Sequence, residues 1–274
     1  MNRKTRATYY RADKVAAARH NAQTYAWAVR LREEAEAKAG RYLTAGLDAL
    51  WEAVPAQTLP RSYGVNQQLG SPVTGKEIDR FGNYPYKGDA LREPWKIVDP
   101  SSGYTFPTND FGAYYKSGLD ARGVFRPELA DRSLLVNTLY PERGASWGVD
   151  DGFGWVNENG EVYTFVAYYL HWFVWYGAGG LVEDALRSFR DAYLYTGDMK
   201  YALPGIVLLD RVADLYPDMD ISAYDRNRFL NSDGRKNTGK VVGSIWETSL
   251  VKVFVSAYDA FFPAMDDPAV VDYL

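Results

Sequence analysis

The chain has 274 residues, enough for one large domain or two small ones, with ordinary apolar and charged fractions and a net charge of −4. That balance provides no global positive field, so nucleic acid is not an expected partner, and an anionic ligand must be met by a few local cations. The absence of cysteine excludes disulfides and thiolate metal sites. With only His20 and His171, a multi-histidine zinc site is not expected either, nor is any cofactor.

No apolar run reaches transmembrane length, and the basic N-terminus lacks the apolar stretch of a signal peptide. Asp13 reads as the N-cap of a long helix through about residue 39, closed by Gly40. A second helix is expected over about 41–53, before Pro55. Residues 55–125 then form a long segment dense in Gly, Pro, Asn and Tyr. It reads as ordered loop, because disorder is seldom so aromatic and compact domains seldom carry idle loops of this length. Within it, Lys96–Asp99 and Tyr104–Pro107 flank a Pro-Ser-Ser-Gly turn and predict a small hairpin. A short helix is expected over 127–141, and Asn157–Gly160 predicts the turn of a second hairpin. Helices follow at 164–177, 181–196, 199–215 and 241–262, with Asp198 as an N-cap. The first of these places Thr164, Tyr168, His171 and Trp175 on one face, a set able to pack, hydrogen-bond and stack on a sugar ring. Asp266-Asp267-Pro268 announces a helix start that the chain follows for only two turns, which reads as a truncated fragment, the alternative being a short docked helix.

Several segments together resemble heparinase II/III-like polysaccharide lyases. These are the opening helix ADKVAAARHNAQTYAWAVRLREEAE, YTFPTNDFGAYYKSG, RSLLVNTLYPERGASWGVDDGFGW, AYLYTGDMKYALPGIVLLDRVADLYP and GSIWETSLVKVFVSAYDAF. The resemblance implies a mainly α fold: one incomplete (α/α) toroid of antiparallel helical hairpins over 1–274, carrying a long aromatic-rich loop region at 55–125 and small β-hairpins. It also implies β-elimination on an acidic, uronate-containing polysaccharide or oligosaccharide, and a periplasmic or extracellular location. The family's Asn-His pair and β-sandwich are not found in this sequence, so the machinery expected there is incomplete here.

Such a lyase neutralises the sugar carboxylate, removes the α-proton and protonates the leaving oxygen. Tyr168 and His171 are the right residue types, side by side at helical spacing, although both also suit a hydrogen-bonded core. Arg143, in a Gly-flanked loop, is the candidate carboxylate contact. Trp147, Trp155 and Trp175 are candidate stacking platforms, and Asn109 is a candidate polar contact. Glu247 lies on an aromatic helix face, as a ligand to sugar hydroxyls or as half of an ion pair with an arginine. Asn109–Asp110 and Asp150–Asp151 read mainly as caps and turns, because adjacent acids point apart. The basic loop Gly234–Lys240 has the wrong spacing for phosphate and reads as solvated. Two rivals remain: a toroid glycoside hydrolase, and a non-catalytic carbohydrate-binding fragment.

Overall fold

The computed structural model describes residues 4–177, 179–219 and 247–274. The basic loop at 234–240 and the expected helical residues 241–246 lie outside them. The described residues are mainly helical, with two small antiparallel strand pairs among them. In chain order the elements are α1 (Ala12–Thr24), α2 (Ala26–Leu43), α3 (Leu47–Glu52), β1 (Ile97–Val98), β2 (Thr105–Phe106) and α4 (Phe111–Ser117). Then come β3 (Trp155–Val156), β4 (Val162–Tyr163), α5 (Phe165–Tyr169), α6 (Leu181–Thr196), α7 (Met199–Leu215), α8 (Glu247–Phe261) and α9 (Pro268–Tyr273). They fall into two compact units: 1–54, 181–214 and 248–274 form the first, and 55–180 with 215–247 the second.

The first unit is a helical stack in which α6 packs on α1 and α2. Its buried positions, Leu181, Val182, Ala185, Leu186, Phe189, Ala192 and Tyr193, recur at helical spacing and form one stripe. Each fully buried Leu or Phe contributes roughly 2–3 kcal/mol. Opposite them, α1 and α2 present the buried small residues Ala22, Ala28, Ala35 and Ala39, which let the helices approach closely. Tyr42 donates to Asp184 across this contact. Residues 4–10 form a strap tied to α8 by the Asp259 carboxylate, which accepts from the Lys4 ammonium, the Thr8 hydroxyl and the N–H groups of Thr8, Tyr9 and Tyr10.

Helix bounds differ from expectation in four places. The opening helix is two helices, because Tyr25 takes an extended conformation (φ −111°, ψ 129°) after its N–H closes α1 on Asn21. Its N-cap position is Arg11, with Asp13 in the first turn bonded to Arg11. The expected 41–53 helix is the end of α2, a turn through Gly46 (φ 83°) and the short α3. No α-helix forms over 127–141; single 3-10 turns stand at Arg132–Leu134 and Pro141–Arg143. There the Asp131 side chain takes the Ser133 N–H, and Asn137 bonds Tyr140, so polar side chains compete with the helical ladder.

The second unit contains the 55–125 segment, which is folded and well packed. Ile97 pairs with Phe106, and Trp155 with Tyr163, in the two expected hairpins. Asp99 closes the first turn, accepting from the Ser101 N–H on its side chain and the Gly103 N–H on its carbonyl. Asn157 closes the second, accepting from Asn159 and Glu161. An aromatic core joins them: Phe106 stacks on Phe165 (4.2 Å, 10°), and Trp95 packs on Phe111, Tyr115 and Tyr169.

Candidate functional site

The cluster around α5 begins with an anchored N-terminus. Asp150 accepts from the N–H of Val166 at 3.0 Å, and from those of Gly152 and Gly154 at 2.8 Å. Both glycines have φ near +100°, a conformation that L side chains rarely adopt. Thr164 donates to the carbonyls of Gly64 and Val65, and Ser62 N–H bonds Ala167. The apolar helix therefore sits against the 61–66 loop. After Tyr169 it widens into a π-type turn, Leu170–Trp175, which shifts the following side chains off the face that regular helical spacing predicts.

Tyr168 lines a cleft of about 420 Å³ together with Asn66, Lys76, Asp79, Tyr84 and Tyr86. Its ring meets Tyr86 at 5.5 Å and Trp172 at 6.3 Å. Trp172 packs on Tyr84 at 4.6 Å and donates to the Tyr63 carbonyl. Asn66 closes the loop at the cleft edge, donating to Val162 and accepting from Leu69. Lys76 donates to the Gln67 carbonyl and pairs with Asp79 at 3.2 Å. Burial raises the Tyr168 phenol above its usual range, with Tyr84 adding to the shift and the Tyr86 N–H opposing it. At neutral pH it is a proton donor. Tyr86 is 6% exposed, and burial pushes its phenol up as well. Its hydroxyl has no hydrogen-bond partner among the described residues.

His171 does not line this cleft. It is fully buried, stacks on Tyr176 and meets Trp172 edge-on at 4.6 Å. Burial and the Arg61 charge hold its pKa well below the usual value, so it is neutral at pH 7. Trp172, which touches both rings, is what relates Tyr168 to His171. Trp175 and Glu247 belong to a neighbouring cluster built on Arg61. The guanidinium lies 5.0 Å from the Trp175 ring and donates to Glu247 Oε1 at 2.6 Å. The same oxygen accepts from Tyr216 at 2.9 Å. Glu247 is thus half of an ion pair, and its arginine comes from a loop.

Arg143, Trp147 and Trp155 are brought together elsewhere in the unit. Arg143 lies over Trp147 (5.0 Å) and Tyr104 (5.4 Å), and Trp147 meets Trp155 edge-on. Asn109 is fully buried and donates to the Asp150 carbonyl. Nearby, Lys96 donates to the carbonyls of Pro107 and Asn109, and burial lowers its pKa to about 8.

The eight sequence candidates therefore occupy three places: the cleft (Tyr168), the Arg61 cluster (His171, Trp175, Glu247) and the Trp147 wall (Arg143, Trp147, Trp155), with Asn109 beneath the last in the Asp150 loop. Sequence reasoning misses Arg61, Asn66, Lys76 and the cleft role of Tyr84 and Tyr86, although the Tyr-Pro-Tyr-Lys-Gly run stands out as ordered loop. Among the described residues, no group of three His, Asp or Glu side chains converges as a metal site would require, and no helix is long and apolar enough to cross a membrane. Comparison with family models, curated proteins and solved structures finds no match to the chain.

Proposed function

We propose that this chain is the N-terminal toroid portion of a heparinase II/III-like polysaccharide lyase. It acts on a uronate-containing polysaccharide outside the cytoplasm, and the Tyr84–Tyr86–Tyr168 cleft takes the sugar. The observation that carries this reading is the lining of the cleft, which brings the protonated Tyr168 phenol, the Lys76 ammonium and the Tyr84 ring to one cavity of about 420 Å³. The Tyr84 ring offers a stacking face to a sugar.

In β-elimination the C5–H bond breaks as a base takes the proton, its electron pair becomes the C4–C5 double bond, and the C4–O bond breaks. Tyr168 gives its phenolic proton to the leaving glycosidic oxygen. Lys76, the cation on the cleft wall, meets the sugar carboxylate and makes the C5 proton more acidic. His171 acts through Trp172 and positions Tyr168.

The test is the near-ultraviolet absorbance of the unsaturated uronate product, measured with alginate, glucuronan, heparan and chondroitin. A rise with one polymer is expected, about 100-fold slower in Tyr168→Phe. Absence of a rise with every polymer overturns turnover by this chain and the proton-donor role of Tyr168. A second reading is a cleft that binds saccharide without turnover, favoured by the position of His171 away from the cleft lining. It predicts calorimetric binding, lost in Tyr84→Ala, with no product.

A further inference from the structure

The first unit holds a groove of about 690 Å³ between α6 and α8, roofed by the 4–10 strap. It is lined by four cations, Lys4, Arg187, Arg190 and Lys252, against the single carboxylate of Asp259. With the Glu183 and Asp191 carboxylates that pair with the two arginines, four cations meet three carboxylates here, a small positive excess in a chain whose overall balance is negative. Three of the cations are engaged: Lys4 with Asp259, Arg187 with Glu183, and Arg190 with Asp191 and the Ser256 hydroxyl. Lys252 is exposed and makes no ion pair among the described residues. Aromatic surface accompanies it. Tyr9 is 78% and Tyr258 40% exposed, and the Lys4 ammonium lies 4.8 Å from the Tyr258 ring.

We infer that this groove is a second, non-catalytic binding site for a carboxylated polysaccharide. The uncommitted Lys252 takes one carboxylate, the guanidinium edges of Arg187 and Arg190 flank it, and the Tyr258 and Tyr9 rings carry sugar faces. The two arginines stand three residues apart on α6, about 4.5 Å along the helix axis, so both face one short stretch of polymer. A nucleic acid is the poorer fit, because three of the four cations are already partly neutralised and a phosphodiester chain brings a dense run of charge. The inference rests on the reading of the ligand as a uronate polymer, but not on turnover.

The experiment is calorimetric titration of the whole chain with an oligoguluronate, an oligoglucuronate, a neutral cello-oligomer of equal length and a single-stranded oligonucleotide of equal charge. The wild type is compared with Lys252→Ala/Tyr258→Ala and with Tyr84→Ala. Both groove side chains are exposed, so the double variant is expected to stay folded, with only a small downward shift in melting temperature from loss of the Lys4–Tyr258 contact. The expected result is two oligouronate sites, one of which weakens about tenfold or more in the groove variant while Tyr84→Ala removes the other. Elimination from short oligomers is unchanged in the groove variant.

Unaltered affinity and stoichiometry in the groove variant overturn the inference. So does equal binding of the neutral oligomer, tighter binding of the oligonucleotide, or no oligouronate binding at all. The two proposals fail separately. Groove-dependent binding without product from the wild type keeps this site and removes the lyase. Product formation with groove-independent binding does the opposite.

Discussion

Asp259 and Asp150 are both buried carboxylates, at 4% and 0% exposure, yet their surroundings drive them apart. Burial raises the pKa of each. At Asp259 the Lys4 ammonium and the N–H groups of Tyr10 and Thr8 outweigh it, and the net shift is downward. At Asp150 burial and the neighbouring Asp151 charge outweigh three backbone N–H groups, and the pKa rises to about 6. The stability consequences have opposite sign. Asp259 contributes stability that is present above its unfolded pKa of about 4 and is lost as pH falls further. Asp150 binds its proton more tightly when folded, so its contribution is greatest below about pH 4 and falls away as pH rises to about 6. Asp259→Asn is therefore expected to cost about 2 kcal/mol at neutral pH, with the deficit shrinking in acid. Asp150→Asn is expected to flatten the fall in stability between about pH 4 and 6. Denaturant titrations from about pH 2 to pH 7 read both, the Asp259 change below about pH 4 and the Asp150 change above it, and a parallel loss at every pH in both variants would sink the assignment. Asp150 is legible in the sequence as a loop cap because two of its three donors, Gly152 and Gly154, are local. Asp259 is not, because its donors lie at the other end of the chain.

The same division between local and distant causes explains which elements the sequence announces. The bounds of α6 and α7 follow from Gly177–Gly180 and Thr196-Gly197-Asp198, breakers that act within a few residues. Both hairpins follow from turn residues in the same way. Neither the break at Tyr25 nor the π-type turn after Tyr169 has a glycine or proline to mark it. The cleft is half visible. Tyr168 stands out on an apolar helix, but its partners come from an irregular segment far upstream with no periodicity to read. Gly205 is a packing device of the same hidden kind. Alanine is the better helix former by about 1 kcal/mol, and position 205 is inside α7. An added Cβ, however, would stand 2.3 Å from the ring of Phe261, which is fully buried and held in place by α8. Overpacking of this sort costs about 1–3 kcal/mol, so the clash outweighs the propensity gain. Gly205→Ala is expected to lower the melting temperature, and a stabilised variant would show that α7 and α8 have room to part.

At the scale of the whole chain, the two units are spectroscopically distinct. Among the described residues, the first holds most of the long helices, with Trp27 and Trp51, and the second holds Trp95, Trp147, Trp155, Trp172 and Trp175. Far-ultraviolet dichroism therefore weights the first unit and tryptophan emission the second. Each unit has its own apolar core, as a cooperative unfolding element requires. The strap tied by Asp259 lies wholly in the first, so Asp259→Asn is a perturbation delivered to one unit only. If the units unfold independently, this variant shifts the dichroism transition to lower denaturant and leaves the emission transition in place. If they unfold together, both transitions move by the same amount and remain superimposed. A single toroid over 1–274, as the family resemblance implies, requires the second outcome, since helical hairpins in one ring share a core. Separate transitions would instead make the second unit an independently folding module, and a ligand bound at the proposed Tyr168 cleft would then stay bound at denaturant concentrations that have already melted α6 and α8.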